Sequence, residues 1–523
     1  MVFSVGGMDR PAGIKGAHIH GTAGALHPKG LRRSAANGLD IHIQISGGFL
    51  PEAVAPQIRI HRVALDGINP NRARAGGIGF LHQHLQIGRS AVAHLFEHVL
   101  AIKGLSRMTS PQQTGKRPTK ASHRQSQIHP TATRGGDHDR NSGRATLTKP
   151  PLAFDFQATT PCTPEVVQAM APYWSELWGN PSSRQHRLGL TASAAVTLAR
   201  RQLAEALAIA PERLIFTSGA TEANNLALLG LARHQGQGHV ISVSTEHHAV
   251  LDPLAQLQRE GFRVTLLKPD RDGLIHPTQV EQAIATDTIL VSVMAANNDI
   301  GVLQPLEAIA EVCRHHAIPV HSDAAQAFGH IPLQPDALGL DLVSLSGHKL
   351  YGPKGIGALV VREGLRLQPL QWGGGQEAGL RAGTLPTALI VGFATAVQLA
   401  MANLEERQQR LGALRDQLWA GLQQQIPGIQ LNGATTPRLA HNLNVTLPHV
   451  NGSRLHRALK PSLICSSGSA CSNGEPSHVL QAIGRSRHEA EASLRLSLGR
   501  STTSNDIEAV IHIITTALAA AQH

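Results

Sequence analysis

Cysteine is scarce in this chain of 523 residues. The four present, Cys162, Cys313, Cys465 and Cys471, are too few for a disulfide framework, and none forms a CxxC pair with metal-site spacing. That excludes the disulfide-stapled secreted class and points to a reduced, cytoplasmic setting. Long apolar runs are missing as well: no stretch of about 18 apolar residues occurs, and the N-terminus lacks the basic, apolar, small-residue order of a secretory signal. A soluble protein with no membrane partner is expected. Aromatic residues amount to only 3%, and in the basic residues 1–150 they do not interleave with the cationic ones. Direct nucleic-acid binding is therefore not expected, despite a formal net charge of +11.

The charge is unevenly spread. Residues 1–150 hold 20 Lys and Arg against 7 Asp and Glu, whereas residues 151–523 hold 27 against 29, so the second part is almost neutral. Residues 1–150 have no sustained helical or strand period, and the stretch 105–150 is rich in Ser, Thr, Pro, Arg and His with little to bury. We expect a disordered basic extension: either a targeting segment, or no part of the natural product, with a true start near Leu152. Its twelve histidines are scattered apart from short pairs such as His18/His20 and His82/His84, so no metal site is expected.

From Leu152 onward, short β-rich apolar runs alternate with helical patterns, which predicts an α/β domain with a mainly parallel sheet between helices. Predicted strands are Leu214–Thr217, His239–Val243, Thr288–Val293, Ile318–His321 and Leu342–Leu345. Thr191–Leu207, Thr221–Arg233 and Pro305–His315 read as helices. After Ala388 the pattern turns helical, with Leu404–Gln425 amphipathic, then returns to short strands near Leu443–Leu447 and Leu494–Leu498. The expected organisation is a large domain over 151–400 and a smaller α+β domain over 401–523. Open α/β sheets bind ligands at the carboxyl ends of their strands, so chemistry is sought there.

Three strand ends carry it. Phe216-Thr217-Ser218-Gly219-Ala220-Thr221-Glu222 leads from a strand through glycine into a helix start, where unpaired backbone N–H groups suit a phosphate; taken alone it also reads as plain capping. Val320-His321-Ser322-Asp323 ends a strand in an acid, either an N-cap or a carboxylate that keeps a pyridine nitrogen protonated. Ser346-Gly347-His348-Lys349 ends another in a lysine. That lysine is either a surface residue in a turn or an amine made reactive by partial desolvation and a cationic His348. Three such pieces in this order favour the chemical readings.

With Ala158-Thr159-Thr160-Pro161, Gly179-Asn180-Pro181-Ser182-Ser183, Thr245-Glu246-His247, Asn297-Asn298-Asp299-Ile300-Gly301, Arg381-Ala382-Gly383-Thr384, Ser466–Cys471 and Arg495–Arg500, these stretches are similar to fold-type I pyridoxal-phosphate enzymes of the class V aminotransferase family. In detail they resemble cysteine desulfurases of the NifS/IscS class, over about residues 152–520. The resemblance implies a Schiff base on Lys349, with Asp323 on the pyridinium nitrogen, Gln326 on the ring oxygen and His247 stacked on the ring to move protons. It implies that Ala220, Thr221, Ser346 and His348 hold the phosphate, joined by Thr384 from the second subunit of a homodimer. It also implies that Arg495 binds the substrate carboxylate and that Asn297 lies beside the substrate amine and ring oxygen. Cys471, in a loop of small residues ending Ser472-Asn473-Gly474, takes sulfur from L-cysteine as a persulfide and leaves alanine. Cys465, Cys162 and Cys313 read as structural. The sulfur is expected to go to an iron–sulfur scaffold protein and to tRNA thiolation; the enzyme alternative is a selenocysteine lyase or another β-eliminating relative. Gln157 departs from the family, which carries a small polar residue before Ala-Thr-Thr, and the stretch after Cys471 is shorter than in long-loop members.

Overall fold

The computed structural model describes residues 150–467 and 475–522, together with two two-residue strands, Val2–Phe3 and Ile19–His20, that pair antiparallel. Apart from those strands, the expected disordered segment lies outside the described residues, and so does Cys471.

Seven strands build the principal sheet: β1 (Leu214–Thr217), β2 (His239–Val243), β3 (Arg263–Leu267), β4 (Thr288–Ser292), β5 (Val320–Asp323), β6 (Leu342–Ser346) and β7 (Gly357–Val361). Their order is β1-β7-β6-β5-β4-β2-β3, and β7 alone runs antiparallel to its neighbours. Successive side chains of a strand point to opposite faces. Thus Phe216 joins one hydrophobic cluster, under the helices Arg187–Leu207, Leu306–His315 and Thr387–Ala402. Ile215 joins the other, under the helices Ala220–Gln235 and His248–Arg259. Each leucine buried on these faces, such as Leu203 or Leu228, contributes roughly 2 kcal/mol.

The structure departs from the sequence reading in several places, three of them with a clear physical reason. β3 and β7 are additional strands; β3 is a partly exposed edge, and β7 follows directly on the glycine-rich turn after Lys349. β5 begins at Val320, two residues late, because Pro319 has no N–H and the Ile318 N–H closes the preceding helix on Cys313 O at 3.0 Å. The first long helix begins at Arg187, four residues early, since the His186 ring caps it by accepting the Gly189 N–H.

A second, antiparallel sheet joins β8 (Gln430–Leu431), β9 (Asn442–Thr446) and β10 (Ser493–Ser497). Leu443, Val445, Leu494 and Leu496 pack on Leu411, Leu414, Leu418 and Leu422 of the helix Leu404–Gln425 and on the helix Ser504–Gln522. The chain also ties back here, Leu152–Ala153 pairing in parallel with Leu463–Ile464.

Candidate active site

β1 ends at Thr217, and Gly219 turns the chain with φ +155°, a conformation that only glycine adopts without strain. Gly219 caps the helix Ala220–Gln235 without a side chain, which leaves the first-turn N–H groups for a ligand. The neighbouring strand starts with Gly357, where a Cβ would lie 2.7 Å from Gly219 Cα, so a side chain there would push this turn aside. Glu222, on the first turn, accepts the Ser218 N–H at 2.6 Å and pairs with Arg381 at 2.8 Å.

β5 delivers Asp323, which is buried, its Oδ2 accepting from Asn224 Nδ2 at 2.7 Å and its Oδ1 from the Ala325 N–H at 2.9 Å. β6 delivers Ser346 and, one turn on, Lys349, whose Nζ donates to the carbonyls of Gln157 at 2.6 Å and Ala158 at 3.0 Å. His247 follows β2. Its Nδ1 accepts the Ala249 N–H at 3.0 Å, so the neutral ring carries its proton on Nε2. Burial lowers its basicity, opposed by Asp323 and reinforced by Lys349. Arg495, on β10, donates to Asn298 O at 2.9 Å and Asp155 Oδ1 at 2.8 Å.

Ala220, Thr221, His247, Asp323, Gln326, Ser346, His348, Lys349 and Arg495 all line one cavity of about 530 Å³, within the usual size for a cofactor site. The expectation of a cationic His348 is corrected: burial first, then Lys349 and Lys354, push it down to about 4, so it is neutral near pH 7. Asn297 is corrected too. Its Oδ1 accepts the N–H groups of Asp299 at 2.8 Å and Ile300 at 3.0 Å and its Nδ2 donates to Thr245 O at 3.0 Å, so it shapes the turn. The next residue, Asn298, lines the cavity with a buried Oδ1 that has no partner among the described residues. An Asn bonding N–H groups two and three residues ahead is a turn former. Thr384 lies in a separate hollow beside Trp372 and Gly383. Gln157, Lys354 and Asn224 complete the surroundings; sequence reasoning assigned them no role here.

Pyridoxal phosphate fits these residues. The uncapped helix start and Ser346 suit its phosphate, and Asp323 suits its ring nitrogen. Gln326 Oε1, Asn298 Oδ1 and Arg495 Nε are buried polar atoms without partners among the described residues, as a hydrogen-bonding ligand would require. Burial and Asp155 push the Cys465 thiol up to about 12 against the pull of Arg495, and burial and Asp341 push Cys313 up to about 12, which disfavours the thiolate at both.

The profile of a family described as Aminotransferase class-V matches residues 152–510. The chain is 46% identical over 375 residues to "Cysteine desulfurase IscS" of Shewanella baltica, covering 70% of this chain and 92% of that protein. Solved structures similar to it include a "NIFS-LIKE PROTEIN" at 33% identity and TM-score 0.67, covering 71% of this chain and 99% of that one. Another is "SspA in complex with cysteine", at 39% identity and TM-score 0.60, covering 66% and 98%.

Proposed function

The chain belongs to the class-V aminotransferase family, as a pyridoxal-phosphate-dependent cysteine desulfurase, and from that premise we propose that L-cysteine is its substrate and Cys471 its sulfur acceptor. The observation that carries the reading is the meeting of Lys349, Asp323, His247 and Arg495 around one cavity beside an uncapped helix start. Bound there, pyridoxal phosphate supplies an electron sink for a substrate Cα. Lys349 Nζ is the amine that would hold it, and Asp323, fixed by Asn224 and the Ala325 N–H, would serve its ring nitrogen as a preorganised acceptor. His247, its Nδ1 occupied by the Ala249 N–H, would carry protons to and from the bound substrate through Nε2. Arg495 takes the substrate carboxylate, its guanidinium already aimed by Asn298 O and Asp155. Asn298 takes the place beside the substrate that Asn297 was expected to fill. Cys471 then attacks the substrate sulfur and keeps it as a persulfide while alanine leaves.

We further assign a homodimer. Trp174, Trp178 and Trp372 are large, exposed apolar side chains, and Trp372 shares its hollow with Thr384, the residue proposed to complete the partner subunit's phosphate site. Residues 151–400 form the cofactor domain and residues 401–523 the small domain with the Cys471 segment. The enzyme works in the cytoplasm, supplying an iron–sulfur scaffold protein. The test is turnover of L-cysteine by purified protein: alanine and reducible sulfur form in equal amounts, and Cys471→Ser abolishes both while keeping the cofactor absorption band. Unchanged sulfur release from Cys471→Ser would favour a direct β-eliminating lyase.

A further inference from the structure

A second hollow, of about 450 Å³, shares no lining residue with the candidate active site. The helix Leu404–Gln425 contributes Glu406, Arg407 and Arg410 to it, at spacings of three and four residues that put them on one helix face. Arg500, three residues past β10, lines it as well. Three guanidinium groups thus share one hollow. Two of them are aimed by backbone carbonyls: Arg407 donates to Gly329 O at 2.6 Å and Ala400 O at 2.8 Å, and Arg410 to Thr502 O at 2.9 Å and Arg500 O at 2.8 Å. Arg500 differs. Its guanidinium stands over the Tyr351 ring, 4.3 Å from the centroid, and its Nε is buried with no hydrogen-bond partner among the described residues. A buried N–H of a cation left without an acceptor costs free energy that a bound acceptor recovers. The carboxylates present do not supply one. Glu165 and Glu406 line the hollow but are exposed, and neither forms an ion pair with these arginines among the described residues. The cations instead oppose one another: burial first, then Arg500, push Arg407 down to about 10, and burial lowers Arg500 against the pull of Tyr351 and Glu165. The helix Leu404–Gln425 also begins here without a side-chain cap, so its first backbone N–H groups add to the positive potential.

We propose that this hollow is a second anion site, in which Arg407, Arg410 and Arg500 hold a phosphate group, either free phosphate or that of a small phosphorylated molecule. Phosphate suits the arrangement better than a carboxylate does: one guanidinium fork satisfies a planar carboxylate, whereas the oxygens of a tetrahedral phosphate point several ways and can meet three guanidinium groups. The hollow exceeds a phosphate in size, and Leu399 and Pro164 in its wall leave an apolar surface for an organic part. The site touches the Lys349 turn through Tyr351, whose hydroxyl accepts the Arg500 backbone N–H at 2.6 Å. Binding there steadies the fold around that turn without entering the catalytic cavity, and the inference does not rest on which reaction the cavity performs.

The test uses the full-length holoenzyme, whose own phosphate seat is filled by the cofactor. Equilibrium dialysis against labelled inorganic phosphate at constant ionic strength should find one site per chain. Glycerol phosphate should displace the label, and Tm should rise with either probe. Arg500→Gln removes the unpartnered cation, and Asn403→Glu places a carboxylate on the exposed rim of the hollow; each should weaken phosphate binding by about tenfold or more. Asn403→Glu keeps the phosphate-free Tm and the cofactor absorption band of the unaltered enzyme, so its lost binding is not lost folding. Tighter binding of glycerol phosphate than of inorganic phosphate supports the site with a phosphorylated molecule as its ligand, and the reverse order supports it with free phosphate. No saturable binding of either probe overturns the proposal, and so does unchanged binding in both variants. Acetate that displaces the label as well as glycerol phosphate does also overturns it, because the hollow then has no preference for phosphate.

Discussion

The two larger sheets of the described residues serve the site in different ways. The seven-stranded sheet buries apolar side chains on both faces and presents chemistry only where its strands stop, at Thr217, Asp323 and Ser346. The three-stranded sheet works through a face: Leu443, Val445, Leu494 and Leu496 pack on helices, while Asn442, Asn444, Ser493, Arg495 and Ser497 alternate with them and are also buried. That polar face meets Asp299, Gln157 and Asp155. Strand ends hold a cofactor because open backbone groups and turns gather there; a buried polar face holds partners because each of its groups needs a bond.

The sharpest way to break this comparison is at a strand end. Lys349→Ala should abolish turnover and the absorption band of the lysine-bound cofactor, because among the described residues no other lysine meets the Gln157 and Ala158 carbonyls in this cavity. A retained band with normal alanine formation, read by spectroscopy and amino-acid analysis, would contradict it. A smaller effect separates two neighbours. Asn298→Ala should lower kcat/KM by about tenfold with little change in Tm. Asn297→Ala leaves the Asp299 and Ile300 N–H groups unpaired and should lower stability by about 1–3 kcal/mol. Equal Tm and equal activity in the two variants would erase the distinction drawn between them.

An effect confined to low pH concerns a polar group inside the apolar sheet. His321 is fully buried on β5 between the hydroxyls of Ser292 at 2.8 Å and Ser344 at 3.0 Å, and burial, opposed by Asp323, pushes it down to about 4. The folded protein thus keeps this ring neutral where the unfolded chain, near 6.5, takes a proton. Stability is unaffected above pH 6.5 and falls as the pH drops towards 4, by up to about 3 kcal/mol for this group. His330, also pushed down to about 4 by burial, acts in the same sense. Urea titrations across that window should show the slope, and His321→Asn should flatten it; an equal slope in the variant would refute the assignment.

What could be read beforehand follows the same division. β2 matches its expected bounds because all five of its residues, His239–Val243, are buried, and the motifs at the ends of β1, β5 and β6 stand where backbone order stops. The half-exposed edge β3 carried too weak a pattern to be read as a strand. Asn297 and Asn298 differ only in which amide the turn consumes, a matter of three-dimensional geometry that adjacent identical residues conceal. The alternation along β9 and β10 marks strands but hides that their polar side is buried, since periodicity distinguishes two faces and not what covers them. Gln157, noticed only as a departure, joins both sheets: its carbonyl accepts from Lys349 and Gln326 and its side chain from Asn442.

The central claim is that sulfur passes from L-cysteine to one thiol of this chain. Brief reaction with L-cysteine, alkylation, and peptide mass analysis test it directly. The account requires one added sulfur on the peptide that carries Cys471, with alanine formed in equal amount, and none on Cys162, Cys313 or Cys465. Added sulfur on Cys465 or Cys313, or alanine formed with Cys471 unmodified, would contradict it.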